Sequence, residues 1–292
     1  VNAGDLTALL AAWGPCVTVP AWATLIEAFP DPAIVHNATL RDAITATGLA
    51  WRVRDTATQI ELVLVSPGTY MRGCSPSAGY GCAPWESPVH QVTLTQPFYL
   101  GRFEVTQAQW QARMGSNPSW FQSASAQVPA SQVPNRPVET VGWNGIQGFL
   151  AATGMRLPTE AEWEWAYRAG TTTAFHSMPG HPNGTNDDSL VGNIAWIWSN
   201  SVGQTRPVGG KAGNGFGLHD MSGNVWEWVH DWYGTYPSAP QVDPVGPVSS
   251  SNRVLRGGSW SNDANYVRSS YRFSGTPEFT DDYVGFRVAR TP

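Results

Sequence analysis

The sequence predicts an α+β fold, irregular and loop-rich, with few short helices and short antiparallel strands. Three observations lead there. The 15 Trp, 30 Gly and 23 Pro among 292 residues describe turns and irregular backbone held by large aromatic anchors. Apolar residues recur at helical spacing only in short runs, each closed by a glycine. Between them lie strand-like segments bounded by turn residues. A hydrophobic fraction of 41% suits a packed core. The net charge of -5 argues against a nucleic-acid partner, which needs a basic face. No apolar run approaches the ~20 residues of a membrane span.

Taken in order, "VNAGDLTALLAAWGPC" (1–16) resembles the back half of a dockerin-type calcium loop and its helix. Asp5 would be the last ligand, but the preceding acidic and glycine positions are missing, so this remnant closes no calcium cage. It reads as a helix from Asp5 to Trp13, stopped by Gly14 and Pro15. Residues 17–58 read as a helical lead-in, through "AWATLIEAF" and "TLRDAITATG", the second capped at Gly48. From residue 59 to 292 the grammar changes to one larger domain. "ELVLVSPGTYMRG" gives a strand, a turn and a strand, and "HQVTLTQPFYLGRFEVT" alternates before entering a helix.

That helix opens with Thr106 and Gln109 at capping-box spacing and ends at Gly115. A second runs through "NGIQGFLAATG". A third, "PTEAEWEWAYRAG", has its own capping box at Thr159 and Glu162 and closes at Gly170. Beyond Gly170, helical periodicity is lost and the short strands "VWEWV", "RVLRGG" and "VGFRVA" punctuate polar loops. Trp163, Trp165, Trp226, Trp228 and Trp232 fall at core spacing. The chain contains no internal repeat.

Three cysteines are present. Cys74 and Cys82 bracket a short Gly-rich loop able to close as a disulfide, leaving Cys16 over. Three reduced, buried thiols are the alternative. The disulfide implies an oxidising location, secreted or at the cell surface. No leader is visible and the sequence opens inside a motif at Val1, so export is expected from the cysteines alone.

Several blocks then appear in a fixed order: "LVSPGTYMRG", "FEVTQAQW", "RPVETVGWN", "GMRLPTEAEWEWAYRAG", "NGFGLHDMSGNVWEWVHDWY" and "RVLRGGSW…VGFR". Together they resemble the formylglycine-generating-enzyme (sulfatase-modifying factor) family, which implies a C-type-lectin-like fold. Fold alone does not assign activity. The family's enzymes oxidise a sulfatase cysteine with two copper-binding cysteines just after the "GGS" element, since Cu(I) needs thiolates. Here that stretch reads Ser259, Trp260, Ser261, Asn262, Asp263, with Val267 near the second position, and no cysteine follows Cys82. Copper chemistry is not expected. A second branch of the superfamily binds iron through paired histidines. The six here, His36, His90, His176, His181, His219 and His230, show no such pairing.

In the family, the loop matching "HDMSGNVWEW" holds calcium. The resemblance places its ligands at Asp220, the carbonyls of Gly223 and Val225, and Glu227, oxygen donors that suit a hard cation. A carboxylate pair bonded to the tight turn at Gly223 is the alternative. A second family site would begin at Asn193 and Ile194, but its acidic partner segment is shortened.

The last stretch, "RGGSWSNDANYVRSSYRFSGTPEFTDDYVGFR", interleaves two vocabularies. Gly257, Gly258, Trp260, Arg268, Arg272, Pro277, Gly285, Phe286 and Arg287 are stiff scaffold, expected to be buried or pinned. Between them lie Asn262, Asp263, Asn265, Tyr266, Tyr271, Phe273, Ser274, Gly275, Phe279, Asp281, Asp282 and Tyr283, expected to project outward. Tyr supplies rigid amphipathic area, and Ser, Gly and Asn supply adaptable hydrogen bonds, as in antibody paratopes. Every one of these residues can be written by a codon of the form NNC. The pattern resembles the variable region of diversity-generating retroelement targets. Ordinary surface loops share the composition.

The expectation is a non-catalytic, secreted, monomeric binding protein whose ligand is a protein or glycan. The alternative is an enzyme of the same superfamily using another cofactor near Trp226, Ser259 and Arg287.

Overall fold

The computed structural model describes residues 16–292. The dockerin-like remnant, Asp5 to Trp13, lies outside them. Strands β1 (Ala23–Glu27), β2 (Arg52–Asp55), β3 (Glu61–Val65), β6 (Phe98–Gly101) and β14 (Ala289–Arg290) form a five-stranded sheet in that order, every pair antiparallel. The last strand thus pairs with β6.

This sheet corrects one expectation. "AWATLIEAF" contains β1, not a helix. A five-residue apolar run satisfies both periodicities, and the choice is made by a distant partner. Glu27 pairs with Arg52 at 2.8 Å across the β1–β2 ladder, and Trp22 sets its edge on Tyr99. The second segment is helical as read: α1 (Ala38–Ala46) is capped by Asn37 and followed by Gly48 at φ 69°. Residues 17–58 are therefore two strands and a helix.

Helices α2 (Gln107–Met114), α3 (Trp143–Thr153) and α4 (Glu160–Arg168) match the three sequence runs, and both capping boxes form. A short α5 (Trp198–Ser201) follows. The antiparallel pair β4 (Gly68–Arg72) and β5 (His90–Leu94) is extended by β10 (Gln241–Val242), which runs parallel to β5. Small strands β7 (Ala195–Trp196) and β8 (Ser222–Gly223) pair in parallel.

The sheet that carries the C-terminal stretch has the order β12 (Arg272–Gly275), β11 (Arg253–Arg256), β9 (Trp226–Trp232), β13 (Val284–Phe286). Its β9–β13 contact is parallel, so the chain leaves β12, loops outward and returns on the far edge. Trp163, Trp165, Trp226 and Trp228 are buried core, with Trp232 partly covered. Cys74 and Cys82 form the expected disulfide, Cα–Cα 5.5 Å, and Cys16 is exposed and free.

Candidate ligand-binding face

The scaffold half of the C-terminal stretch is fixed by buried ion pairs. Arg268 donates to both Glu86 oxygens at 2.8 and 2.9 Å, reaching from the stretch back to the 3-10 turn Pro84–Glu86. Arg272 grips Glu160 at 2.6 and 2.9 Å. Arg256 reaches Glu164 at 2.6 Å, and Arg287 holds both oxygens of Glu227 at 2.6 and 2.7 Å. All four guanidinium groups are buried. Burial pushes the Glu86 carboxyl up, but bonds from Arg268 and Ser270 hold it below the ordinary carboxylate value. Gly258 sits at φ 71°, where a Cβ would meet Val267 at 2.5 Å. Phe286 is fully buried against Trp110 and Phe149. Trp260 is only half-covered, yet pinned: its indole N–H donates to the Asp282 carbonyl at 3.1 Å, and Phe121 meets its ring edge.

The interleaved half divides further. Asp263 and Phe273 are exposed, and Tyr266, Ser274, Phe279, Asp281, Asp282 and Tyr283 are half-covered at the surface. Asn262 and Asn265 turn their side chains inward. Asn262 accepts from the Ser259 backbone and hydroxyl at 3.0 and 2.8 Å, and Asn265 accepts from Arg268 at 2.9 Å. They build the loop.

Tyr271 corrects the expectation of an outward ring, since it is 8% exposed. Trp85 meets it edge-on at 6.3 Å, Tyr266 lies at 4.9 Å and Trp226 at 6.1 Å. Residues alternate across an extended chain. Arg272 therefore points into the protein, while Tyr271 and Phe273 share the outer side, where Phe273 tilts over Trp226 at 5.3 Å. Tyr271 is the floor of the face and Phe273, 41% exposed, its surface.

Sequence reasoning missed three contributors from other segments. Trp85 is exposed at the edge of Tyr271. Trp120, 74% exposed, precedes the Phe121 that abuts Trp260. Trp198, 68% exposed, donates its backbone N–H to the Asn262 carbonyl. Their only sequence signal is a tryptophan in a polar context ("PWE", "SWF", "WSN"). The arginines of the stretch are buried and paired, so its outward charges are Asp263, Glu278, Asp281 and Asp282, all acidic. The face is aromatic and acidic.

The Asp220 loop lies behind it. Gly223 permits the tight turn: at φ 77°, a Cβ there would meet the Trp196 carbonyl at 2.2 Å. Glu227 is engaged by Arg287 and by the Trp163 indole N–H at 2.7 Å. Asp220 accepts from the Gly209 N–H at 2.6 Å through one oxygen, and its other oxygen is buried without a partner. Burial pushes the Asp220 carboxyl up to about 6. A third carboxylate unnoticed in the sequence, Glu104, joins them. It accepts from Asn224 at 2.6 Å and from the Val225 N–H at 3.1 Å. Burial, then the charges of Asp220 and Glu227, push its pKa well up. Three buried carboxylates thus face chiefly one guanidinium, Arg287. No group of three or more His, Cys, Asp or Glu side chains is arranged to hold a metal among the described residues. Any cation here would draw on backbone carbonyls as well.

Comparison with known proteins agrees with this architecture. Residues 50–292 match the sulfatase-modifying factor enzyme 1-like domain. The formylglycine-generating enzyme of Streptomyces coelicolor is 31% identical over 85% of this chain and 93% of its own length. Among solved structures, Treponema denticola variable protein 1 superposes with a TM-score of 0.69 at 30% identity, covering 80% of this chain and 95% of that one. PvdO from Pseudomonas aeruginosa gives 0.67 at 28% identity, covering 82% and 98%. The likeness to a variable protein and to an enzyme separates fold from activity, and on the matched domain the chain belongs to the formylglycine-generating-enzyme (sulfatase-modifying factor) family.

Proposed function

We propose that this chain is a non-catalytic binding protein that presents the residues between Trp260 and Tyr283 to a protein or glycan ligand outside the cell. One observation carries the reading: the stretch separates into buried arginine anchors and an outward aromatic, acidic set. Exposed aromatics without a packing role are the usual anchors of an interface. Just after the "GGS" element, where the family's enzymes carry their first catalytic cysteine, this chain reads Trp260, Ser261, Asn262 and Asp263, and the Ser259 hydroxyl is bonded to Asn262 and Ser261. The similarity to Treponema denticola variable protein 1 supports a further reading, that the outward set is diversified by a retroelement. The disulfide supports export. An acidic face favours a partner with basic groups, and association with such a partner slows as salt rises.

Calcium at the Asp220 loop belongs to this proposal as a structural ion. The unpartnered Asp220 oxygen and the excess of buried negative charge fit a hard cation, held by Asp220, the Gly223 and Val225 carbonyls and Glu227. The ion would offset buried charge. Calorimetric melting with and without a chelator tests it: removal is expected to lower Tm, since binding to the native state adds stability by mass action. An unmoved melting curve contradicts it.

The binding reading as a whole is tested against its enzymatic rival. Purified protein is loaded with copper and incubated in oxygen with a Cys-containing sulfatase peptide. No formylglycine is expected. Turnover with near-stoichiometric copper or iron overturns the proposal.

A further inference from the structure

On the opposite side of Arg272 from the aromatic face lies a cavity of about 540 Å³. Its walls include Arg72, His90, Glu160, Asp231, Tyr236 and Arg272, and residues of loop 234–247 line one side. Tyr271 and Phe273, flanking Arg272, contact Trp226 instead, so the cavity is separate from the face.

Most of the wall is internally satisfied. Arg72 and Arg272 approach Glu160 at 2.7 and 2.6 Å, and their guanidinium groups lie 4.4 and 3.9 Å from the Tyr236 ring centre. The Tyr236 hydroxyl donates to Glu160 at 3.0 Å. Two guanidinium groups and three carboxylates, Glu160, Asp231 and Asp243, line the wall, so it carries no excess of positive charge to hold an anion. Three polar atoms nevertheless have no partner: Arg72 Nε, His90 Nε2 and Asp231 Oδ1, on side chains that are 3%, 2% and 1% exposed. They are not loosely placed. Arg72 and His90 are direct cross-strand partners on β4 and β5, and the other Asp231 oxygen accepts from the Glu160 N–H at 2.8 Å. His90 Nδ1 lies 3.1 Å from the Pro88 carbonyl, which assigns the proton to Nδ1 and leaves Nε2 an acceptor. The cavity therefore offers two free acceptors and one free donor.

Buried polar atoms left without partners are costly and uncommon, and three on one wall call for an occupant. A hydroxyl is the group that both donates and accepts, and a neutral molecule adds no charge to that wall. The volume falls within the ~300–1,000 Å³ of small-molecule sites. Pro244, Val245 and Pro247 supply an apolar wall for C–H groups. We propose that this cavity binds a neutral polyhydroxylated molecule of hexose size, with hydroxyls donating to Asp231 Oδ1 and His90 Nε2 and one accepting from Arg72 Nε. Burial, then the Glu160 charge, push the unpartnered Asp231 carboxyl up to about 7, which is what a hydroxyl donor would relieve.

The test is titration calorimetry of the full chain with a panel of neutral hexoses and their methyl glycosides. At least one is expected to bind at a single site and to raise Tm. Asp231→Asn, which keeps the bond to the Glu160 N–H but removes the anionic acceptor, should weaken binding about ten-fold or more. Val245→Trp, at a half-exposed position on the cavity wall, should block binding with the far-ultraviolet circular dichroism unchanged, and decides the matter if the Asp231 variant does not fold. A methyl glycoside that binds as well as the free sugar marks a glycan terminus as the source. A methyl glycoside that fails marks the free sugar. Absence of binding by every member at about 10 mM, or binding that neither variant alters, overturns the proposal and leaves the cavity to water.

Discussion

The five-stranded sheet and the C-terminal sheet share one apolar core but differ in what is added to it. In the first, Val53, Leu62, Val63, Leu64, Tyr99 and Leu100 are fully buried on the central strands, while β1 at the edge is half-covered or exposed. In the second, Val254, Leu255, Val284 and Phe286 are just as buried, and fully buried long-range tethers are added: Arg268 to Glu86, Arg272 to Glu160, Arg256 to Glu164 and Arg287 to Glu227. A core of apolar contacts constrains every neighbour by shape. A tether constrains one residue at each end. That difference leaves Phe273 exposed and Tyr266, Phe279 and Tyr283 half-covered at the margin of the core, while the loop beneath them stays fixed.

The sharpest way to break this comparison is to cut one member of each kind. Phe286→Ala should cost ~3–5 kcal/mol by leaving a large cavity. Arg268→Ala should cost about as much, ~3–5 kcal/mol, because it strands the buried Glu86 charge. Replacing Arg268 and Glu86 together by Met and Leu should recover most of that loss, whereas no single partner exists whose change would rescue Phe286→Ala. Urea denaturation distinguishes the cases. A double variant no better than Arg268→Ala would show that the arginine acts by packing rather than by pairing.

A smaller effect follows from Asp231, at the boundary between the two modes. Its folded pKa of about 7 lies above the ordinary aspartate value. The folded state therefore binds the proton more tightly than the unfolded chain, and this contribution is fully present below pH ~4 and lost as pH rises toward 7. The wild type should lose on the order of 1–3 kcal/mol more between pH 5 and 8 than Asp231→Asn does. Parallel stability profiles for the two proteins would contradict the shift.

The smallest effects belong to the outer face. Phe273→Ser or Tyr266→Ser should each change stability by only about 0.5 kcal/mol, or ~1–2 °C in Tm. Tyr271→Ser should cost several times more, on the order of 2–3 kcal/mol, because that ring is the buried floor. Equal losses for Tyr271 and Phe273 would erase the distinction between floor and surface.

Much of this was legible in the sequence and some was not, for identifiable reasons. Capping boxes at Thr106 and Thr159 are local, and a local pattern can be read directly. The arginines stood out as scaffold, yet nothing in the sequence pairs Arg268 with Glu86, 182 positions away. Tyr271 looked like its variable neighbours because its burial depends on Trp85, which arrives from another loop. The helix expected within "AWATLIEAF" failed because a strand of five residues is decided by its partner β2 rather than by its own pattern. Glu104 went unnoticed because only the folded chain brings it beside Val225 and Asn224.

The central claim is that the outward set varies freely over a fixed scaffold and can bind. A display library randomising only Asp263, Tyr266, Phe273, Phe279 and Tyr283 tests it most directly, with selection against a purified protein such as lysozyme. The account predicts that most unselected members fold with Tm within a few degrees of the parent, and that selection returns specific binders. A library in which most members fail to fold, or one that folds and yields no binder, would contradict it.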